Sequence, residues 1–177
     1  TYDEWKYSIY AQNDIQCQDC HMVPVAIAEK VADTLKRPHE LNDPSLEGFA
    51  ALGGKWRKFI HKHGFVGGNA VITALMKGEG TAEDIGRDQN VQEAIARLQG
   101  VASLKLYLTQ KAGHLHQLKV KVTNERAGHH LPTSLTEVRQ VWLEVVVTDD
   151  QGNELYRNGT LTDANEVPRD AVIFNAH

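Results

Sequence analysis

The sequence predicts an α+β protein. It has a helical part over residues 1–113 and an antiparallel, sandwich-like β part over residues 114–177 that is incomplete where the chain stops. Two patterns predict this. Apolar residues recur every three or four positions through the first two thirds, and the period changes to alternation after Gly113. A third observation gives the helical part a task. The only two cysteines, Cys17 and Cys20, lie there with His21 directly behind them.

The first segment, "TYDEWKYSIYAQND", is helix-compatible, with Tyr2, Trp5 and Ile9 near one face. "VPVAIAEKVADTLKRP" reads as a helix with Pro24 in its first turn and Pro38 at its end. Residues 39–54 are loop-like, and "KWRKFIHKHGF" is a short helix or turn. Gly67 and Gly68 break it before "NAVITALMKG" starts another helix. The longest helix is predicted from Thr81 to Ala112. Thr81 is its N-cap, Glu83 and Asp84 lie in the first turn, and Val91, Ala94, Ile95, Leu98, Val101 and Ala102 line one side. Gly100 weakens that helix by about 1 kcal/mol without ending it, and Gly113 stops it. "LHQLKVKVTN" then places Leu118, Val120 and Val122 on one face of a strand. "EVRQVWLEVVVTDDQGNELYRNG" is a hairpin turning at "DDQGN", and a last strand near "AVIFN" has no following partner.

Composition excludes several classes. The 177 residues are 41% hydrophobic and 24% charged, with net charge −4 and pI near 6.1, as in a soluble globular protein. No basic stripe suggests nucleic acid, and no apolar run reaches membrane-spanning length. The start at Thr1, without an initiator Met, is that of a processed chain or a piece of a longer one, and the abrupt end "DAVIFNAH" leads to the same expectation.

Cys17-x-x-Cys20-His21 fits covalent attachment of haem c. Two thiols at this spacing add to the two vinyl groups of one porphyrin, and the adjacent histidine supplies a nitrogen to iron. Three other chemistries compete. A disulfide across so short a loop stabilises little. A thioredoxin-like pair needs a βαβ setting, which the helical surroundings do not offer. A zinc site needs four ligands, and only His61 and His63 are at hand for the rest. Trp5, Tyr10, Trp56, Phe59 and Phe65 are pocket candidates, each equally explained as ordinary core.

The second axial position takes His, Met, water or nothing, and the choice sets potential and reactivity. Nine histidines against two methionines favour a bis-histidine iron, with Met76 the only sulfur able to reach the far side. His39 reads as a surface residue, His114 as a helix-end charge, and His177 is terminal. "HKHGFVGGN" and "AGHHLPT" remain. Each sets histidine beside glycine, where backbone approaches a flat ring closely, which makes His61, His63, His129 and His130 the candidates.

"W-x-x-S-x-Y" from Trp5, "C-Q-D-C-H-M", "H-G-F-V-G-G-N" from His63, and "V-T-N-x-x-A-G-H-x-L-P-T" followed by "R-Q-V-W-L-E-V-V-V-T-D-x-x-G" stand in this order. Together they resemble multihaem c-type cytochromes, in the broad group related to cytochrome c-554. The resemblance covers Trp5 to about Gly159. It implies a periplasmic or extracellular electron carrier with bis-histidine haems. It implies His63 as the distal ligand, and His129 as ligand to a haem elsewhere. Relatives usually carry several haem motifs and this chain has one. Ser134 also stands where Gly often follows "P-T". A fragment of a larger cytochrome accounts for the lone motif.

The function expected is electron transfer through a low-spin iron held by His21 and His63, exchanging electrons with redox partner proteins or neighbouring haem subunits. The alternative is a haem enzyme or gas sensor with an open distal side, acting on a small oxidant or nitrogen oxide. The β part carries no cluster of acid, base and nucleophile. Ser134, His130 and Asp149 make a triad only on paper, without a nucleophile-elbow pattern. It also reads as a docking module.

Overall fold

In a computed structural model of the chain, the structure describes residues 1–76, 86–137 and 139–174. The chain is α+β. Residues 2–128 form one compact unit, and residues 129–177 with Thr1 form a second.

In the first unit, α1 (Tyr2–Lys6) and α2 (Ile9–Gln12) divide the segment expected as one helix. Ser8 makes the break: it is extended and caps α2, its hydroxyl accepting from the Ala11 N–H at 3.4 Å. The Cys motif is itself helical, as α3 (Cys17–His21). Next comes α4 (Val25–Thr34), which buries Ile27, Ala28, Val31 and Ala32, the four positions of one face. Pro24 sits at its N-cap, and Leu35 ends it in the left-handed region at φ 55°. Tyr10, Ile15, Val23 and Leu46 complete the core around that face, with Trp5, Cys20, Leu35, Leu41 and Phe59 packed against it.

Pro38–Leu41 and Pro44–Leu46 are single 3₁₀ turns, and β1 (Gly48–Phe49) pairs with β2 (Trp56–Arg57). Residues 58–66 are irregular rather than helical. They pair by backbone with other segments: the Ile60 N–H donates to the Leu46 carbonyl at 2.8 Å and the Lys62 N–H to the Met22 carbonyl at 2.7 Å. Then come α5 (Ala70–Met76) and α6 (Gln89–Gly100), which pack together. Asp88 caps α6 by accepting from the Asn90 and Val91 N–H groups at 2.9 and 3.3 Å. The cap expected at Thr81, and Glu83 and Asp84 with it, lie outside the described residues.

The long helix does not continue to Ala112. It ends at Gly100, and β3 (Ala102–Lys111) follows, turning at Gly113 into β4 (His114–Asn124). The boundary between helix and strand therefore falls at Val101, and Gly113 (φ 79°) is a hairpin residue. The reason is visible in "LKLYL". Leu104, Leu106 and Leu108 have period two, and they stand directly opposite Val122, Val120 and Leu118. Cross-strand pairing outweighs the weak helical signal at Val101 and Ala102. Arg126, just past β4, forks onto Asp33 of α4 at 2.9 and 3.1 Å and reaches Glu29 at 3.0 Å.

The second unit contains β5 (Val141–Leu143) paired with β8 (Val172–Phe174), and β6 (Val145–Thr148) paired with β7 (Glu154–Asn158), all antiparallel. The predicted hairpin is the β6–β7 pair. Asp149 builds its turn by accepting from the Asn153 side-chain amide at 2.8 Å and from the Asn153 and Gln151 N–H groups at 2.7 and 2.9 Å, which together hold its carboxyl below the usual aspartate range. The Trp142 indole donates to the Gly159 carbonyl at 2.8 Å. Gly159 has φ 78°, and a Cβ there would run into the carbonyl oxygen of Leu143. Leu131–Pro132 is a cis peptide.

Candidate functional site

Helical geometry arranges the Cys motif. Cys17, Cys20 and His21 are three and four positions apart, so they share one side of α3. Asp19, two positions from Cys17, points the other way and is completely buried. The helix thus carries both free thiols and the imidazole on one side, exposed at Cys17 and partly buried at Cys20 and His21, and buries Asp19 on the other. Cys17 is exposed. Cys20 packs against the core, and burial pushes its thiol up to about 11.

Asp19 has three partners. One carboxylate oxygen accepts from the Gln16 N–H at 2.9 Å, closing the start of α3. The other accepts from His61 Nε2 at 2.9 Å. Arg37 Nε lies 3.4 Å away, an ion-pair contact rather than a hydrogen bond. Two side chains of opposite charge capacity therefore face a carboxylate with no exposure of its own.

The axial candidate His21 is held from behind. Its Nδ1 lies 2.9 Å from the Val66 carbonyl oxygen, which can only accept, so Nδ1 carries the proton and donates. Nε2 is then the nitrogen that could take a metal. The Val66 N–H returns a bond to the His21 carbonyl at 3.2 Å. Arg97 of α6 closes the other side, its guanidinium donating to the carbonyls of Cys20 and Val23 at 2.8 and 2.7 Å. These are acceptors at and just beyond the end of α3, where helical carbonyls lack partners of their own.

The structure brings together Cys17, Cys20 and His21, and bonds the segment carrying His61 and His63 to the end of their helix. His61 is engaged by Asp19. His63 is exposed, with its ring edge-on to Phe65 at 4.7 Å. Three residues on, the Val66 carbonyl faces His21 Nδ1. Met76 is 81% exposed at the end of α5. His129 belongs to the second unit, where its Nδ1 lies 3.0 Å from the His130 carbonyl. Of the pocket candidates, Trp5, Tyr10 and Phe59 are core or packed against it, whereas Trp56 and Phe65 are exposed. His177 lies outside the described residues.

Sequence reasoning passed over Asp19, Val66 and Arg97. Arg97 had a signal: it continues the buried Val91–Ala94 stripe of α6 at the same three-residue step. Asp19 had a weaker one, a carboxylate three residues after a cap position. Val66 acts through its backbone and had none.

The donor set fits a haem. A porphyrin brings four nitrogens of its own, so the protein needs to supply only axial ligands and the two thioether sulfurs. Among the described residues no three His, Cys, Asp or Glu side chains converge as a metal-holding group, which is the arrangement a zinc site would require. Val71, Ile72 and Leu75 of α5 are all more than half exposed. No protein-family model, curated protein or solved structure matches the chain.

Proposed function

We propose that this chain is a c-type haem protein that relays electrons. Haem c attaches through Cys17 and Cys20, and His21 Nε2 ligates the iron. The observation that carries the reading is the helix itself: three residues of attachment chemistry on one face, with the imidazole already oriented through Nδ1 by Val66. Bound there, the haem supplies a one-electron couple. The protein's own part is to orient the imidazole, to partly bury Cys20, and to place the Arg97 cation beside the motif. His63 is the proposed second ligand, and His129 serves a neighbouring haem. Export to the periplasm or beyond, redox partner proteins, and membership of a larger multihaem cytochrome belong to the same proposal. So does completion of the β5–β8 and β6–β7 ladders into an antiparallel sandwich.

One observation favours a second reading. His63 rides on the segment whose Val66 carbonyl takes the Nδ1–H of His21. A ligand opposite His21 must approach from the other direction. An iron without His63 has an open side, which suits a haem enzyme or gas sensor.

One set of measurements tests both. After expression with a haem-attachment system, the intact mass should exceed the polypeptide by one haem, and acidic acetone should leave the colour on the protein. Cys17→Ser with Cys20→Ser should lose both. Ferric EPR should be low-spin in the wild type and high-spin in His63→Ala, with His129→Ala unchanged. A high-spin wild type sinks the relay reading in favour of the open site. A His63→Ala protein that stays low-spin removes His63 as ligand.

A further inference from the structure

We propose that Asp19 and His61 are positioning residues for the axial imidazole of His21, acting as a latch that holds the 59–66 segment against the back of the ring. The proposal rests on the haem c reading. Residues between the two cysteines of such a motif have no required chemistry, yet Asp19 is completely buried and satisfied from three sides. Its bond to the Gln16 N–H fixes it within α3, so the carboxylate moves only as the helix moves. Its bond to His61 spans 42 residues of sequence and fastens the middle of a segment that has no regular structure of its own.

The residues just after His61 depend on that fastening. The Lys62 N–H reaches the Met22 carbonyl at 2.7 Å, the Val66 N–H reaches the His21 carbonyl at 3.2 Å, and the Val66 carbonyl accepts from His21 Nδ1 at 2.9 Å. Phe59 stacks edge-on against the His61 ring at 4.7 Å and packs on the core, which fixes the segment's other end. One carboxylate on the buried side of α3 therefore sets the position of a carbonyl behind the imidazole on its other side. A histidine that donates through Nδ1 to a fixed acceptor is a more basic ligand in a fixed plane. More electron donation favours the ferric iron and lowers the reduction potential. Losing the latch lets Val66 drift, weakens the Nδ1–H bond and frees the ring to turn.

The test compares His61→Leu, His61→Gln and Asp19→Asn in the haem-loaded protein by midpoint potential and ferric EPR g values, with far-UV circular dichroism to confirm folding. Gln keeps an N–H donor that reaches Asp19, so His61→Gln should stay near the wild type. His61→Leu and Asp19→Asn should raise the potential and shift the g values. The same variants, haem-free, are read by the imidazole NMR resonances of His21, where the Nδ1–H of His61→Leu should exchange with solvent faster than in the wild type. A folded, haem-loaded His61→Leu with unchanged potential and g values overturns the proposal. So does a high-spin His61→Leu, which would make His61 an iron ligand. A wild type that never binds haem fails the haem reading. The NMR exchange then tells separately whether the latch holds His21, and unchanged exchange overturns the latch as well.

Discussion

Arg97 offers the sharpest stability test, because its hydrogen bonds join α6 to the end of the Cys motif through backbone carbonyls. Its guanidinium donates to two carbonyls, at 2.8 Å to Cys20 and 2.7 Å to Val23. Hydrogen bonds from a charged donor contribute about 1.5–3 kcal/mol each. Against this stands the desolvation of the cation, which lowers the Arg97 pKa from its ordinary value, and a buried Nε with no hydrogen-bond partner. Arg97→Ala also removes a stem that continues the Val91–Ala94 face. The net expectation is a loss of about 2–3 kcal/mol from the unit spanning residues 2–128. Arg97→Lys keeps the charge but not the fork, and should recover about half of that. Urea titration followed at the amide resonances of Ile27 and Val31 reports this unit by itself. A loss in Arg97→Ala below about 0.5 kcal/mol, the range of an ordinary surface substitution, refutes the reasoning.

Two further outcomes come from backbone and charge. Gly159→Ala should destabilise the second unit by at least about 2 kcal/mol, because the new Cβ meets the Leu143 carbonyl at a positive φ; Gly152→Ala, also at positive φ but in open space, should cost about 1 kcal/mol, both read from the β6–β7 amide signals during unfolding. The Arg126 fork holds the Asp33 carboxyl below its ordinary 3.8, so the stability it adds is present above that value and is lost as pH falls through the lower folded value. Asp33 is half exposed, so the contribution stays under about 1 kcal/mol, and Asp33→Asn should differ from the wild type at pH 6 and converge with it in strong acid.

Legibility in the sequence tracked the range of the interaction. The Cys motif, the α4 face between Pro24 and Pro38, and the Asp149 turn are set within a few residues, and each was readable from spacing and turn chemistry. The Thr81–Ala112 helix failed where a competing partner lay outside the window. Ala102–Lys111 carries helix-tolerant residues, and it is a strand because Leu118, Val120 and Val122 stand opposite. The site divides in the same way. Cys17, Cys20 and His21 announce themselves, while the bond of Asp19 to His61 and that of Val66 to His21 span 42 and 45 residues.

The Arg97 fork has a bearing on the order in which the chain acquires structure. Its bonds close loops of 77 and 74 residues, and those from His61 and Val66 close loops of 42 and 45. α3 is a five-residue helix, far below the length that holds together unaided in water. As the chain is made from its N-terminus, Cys17 and Cys20 emerge well before the residues that fix them. Through that interval the end of α3 lacks the bonds from Val66 and Arg97, while the core against which Cys20 packs is drawn from the nearer residues Tyr10 to Leu46. The attachment proposed for the pair would meet least obstruction before Arg97 and Val66 close on the end of α3, and their closing afterwards would hold in place what was attached.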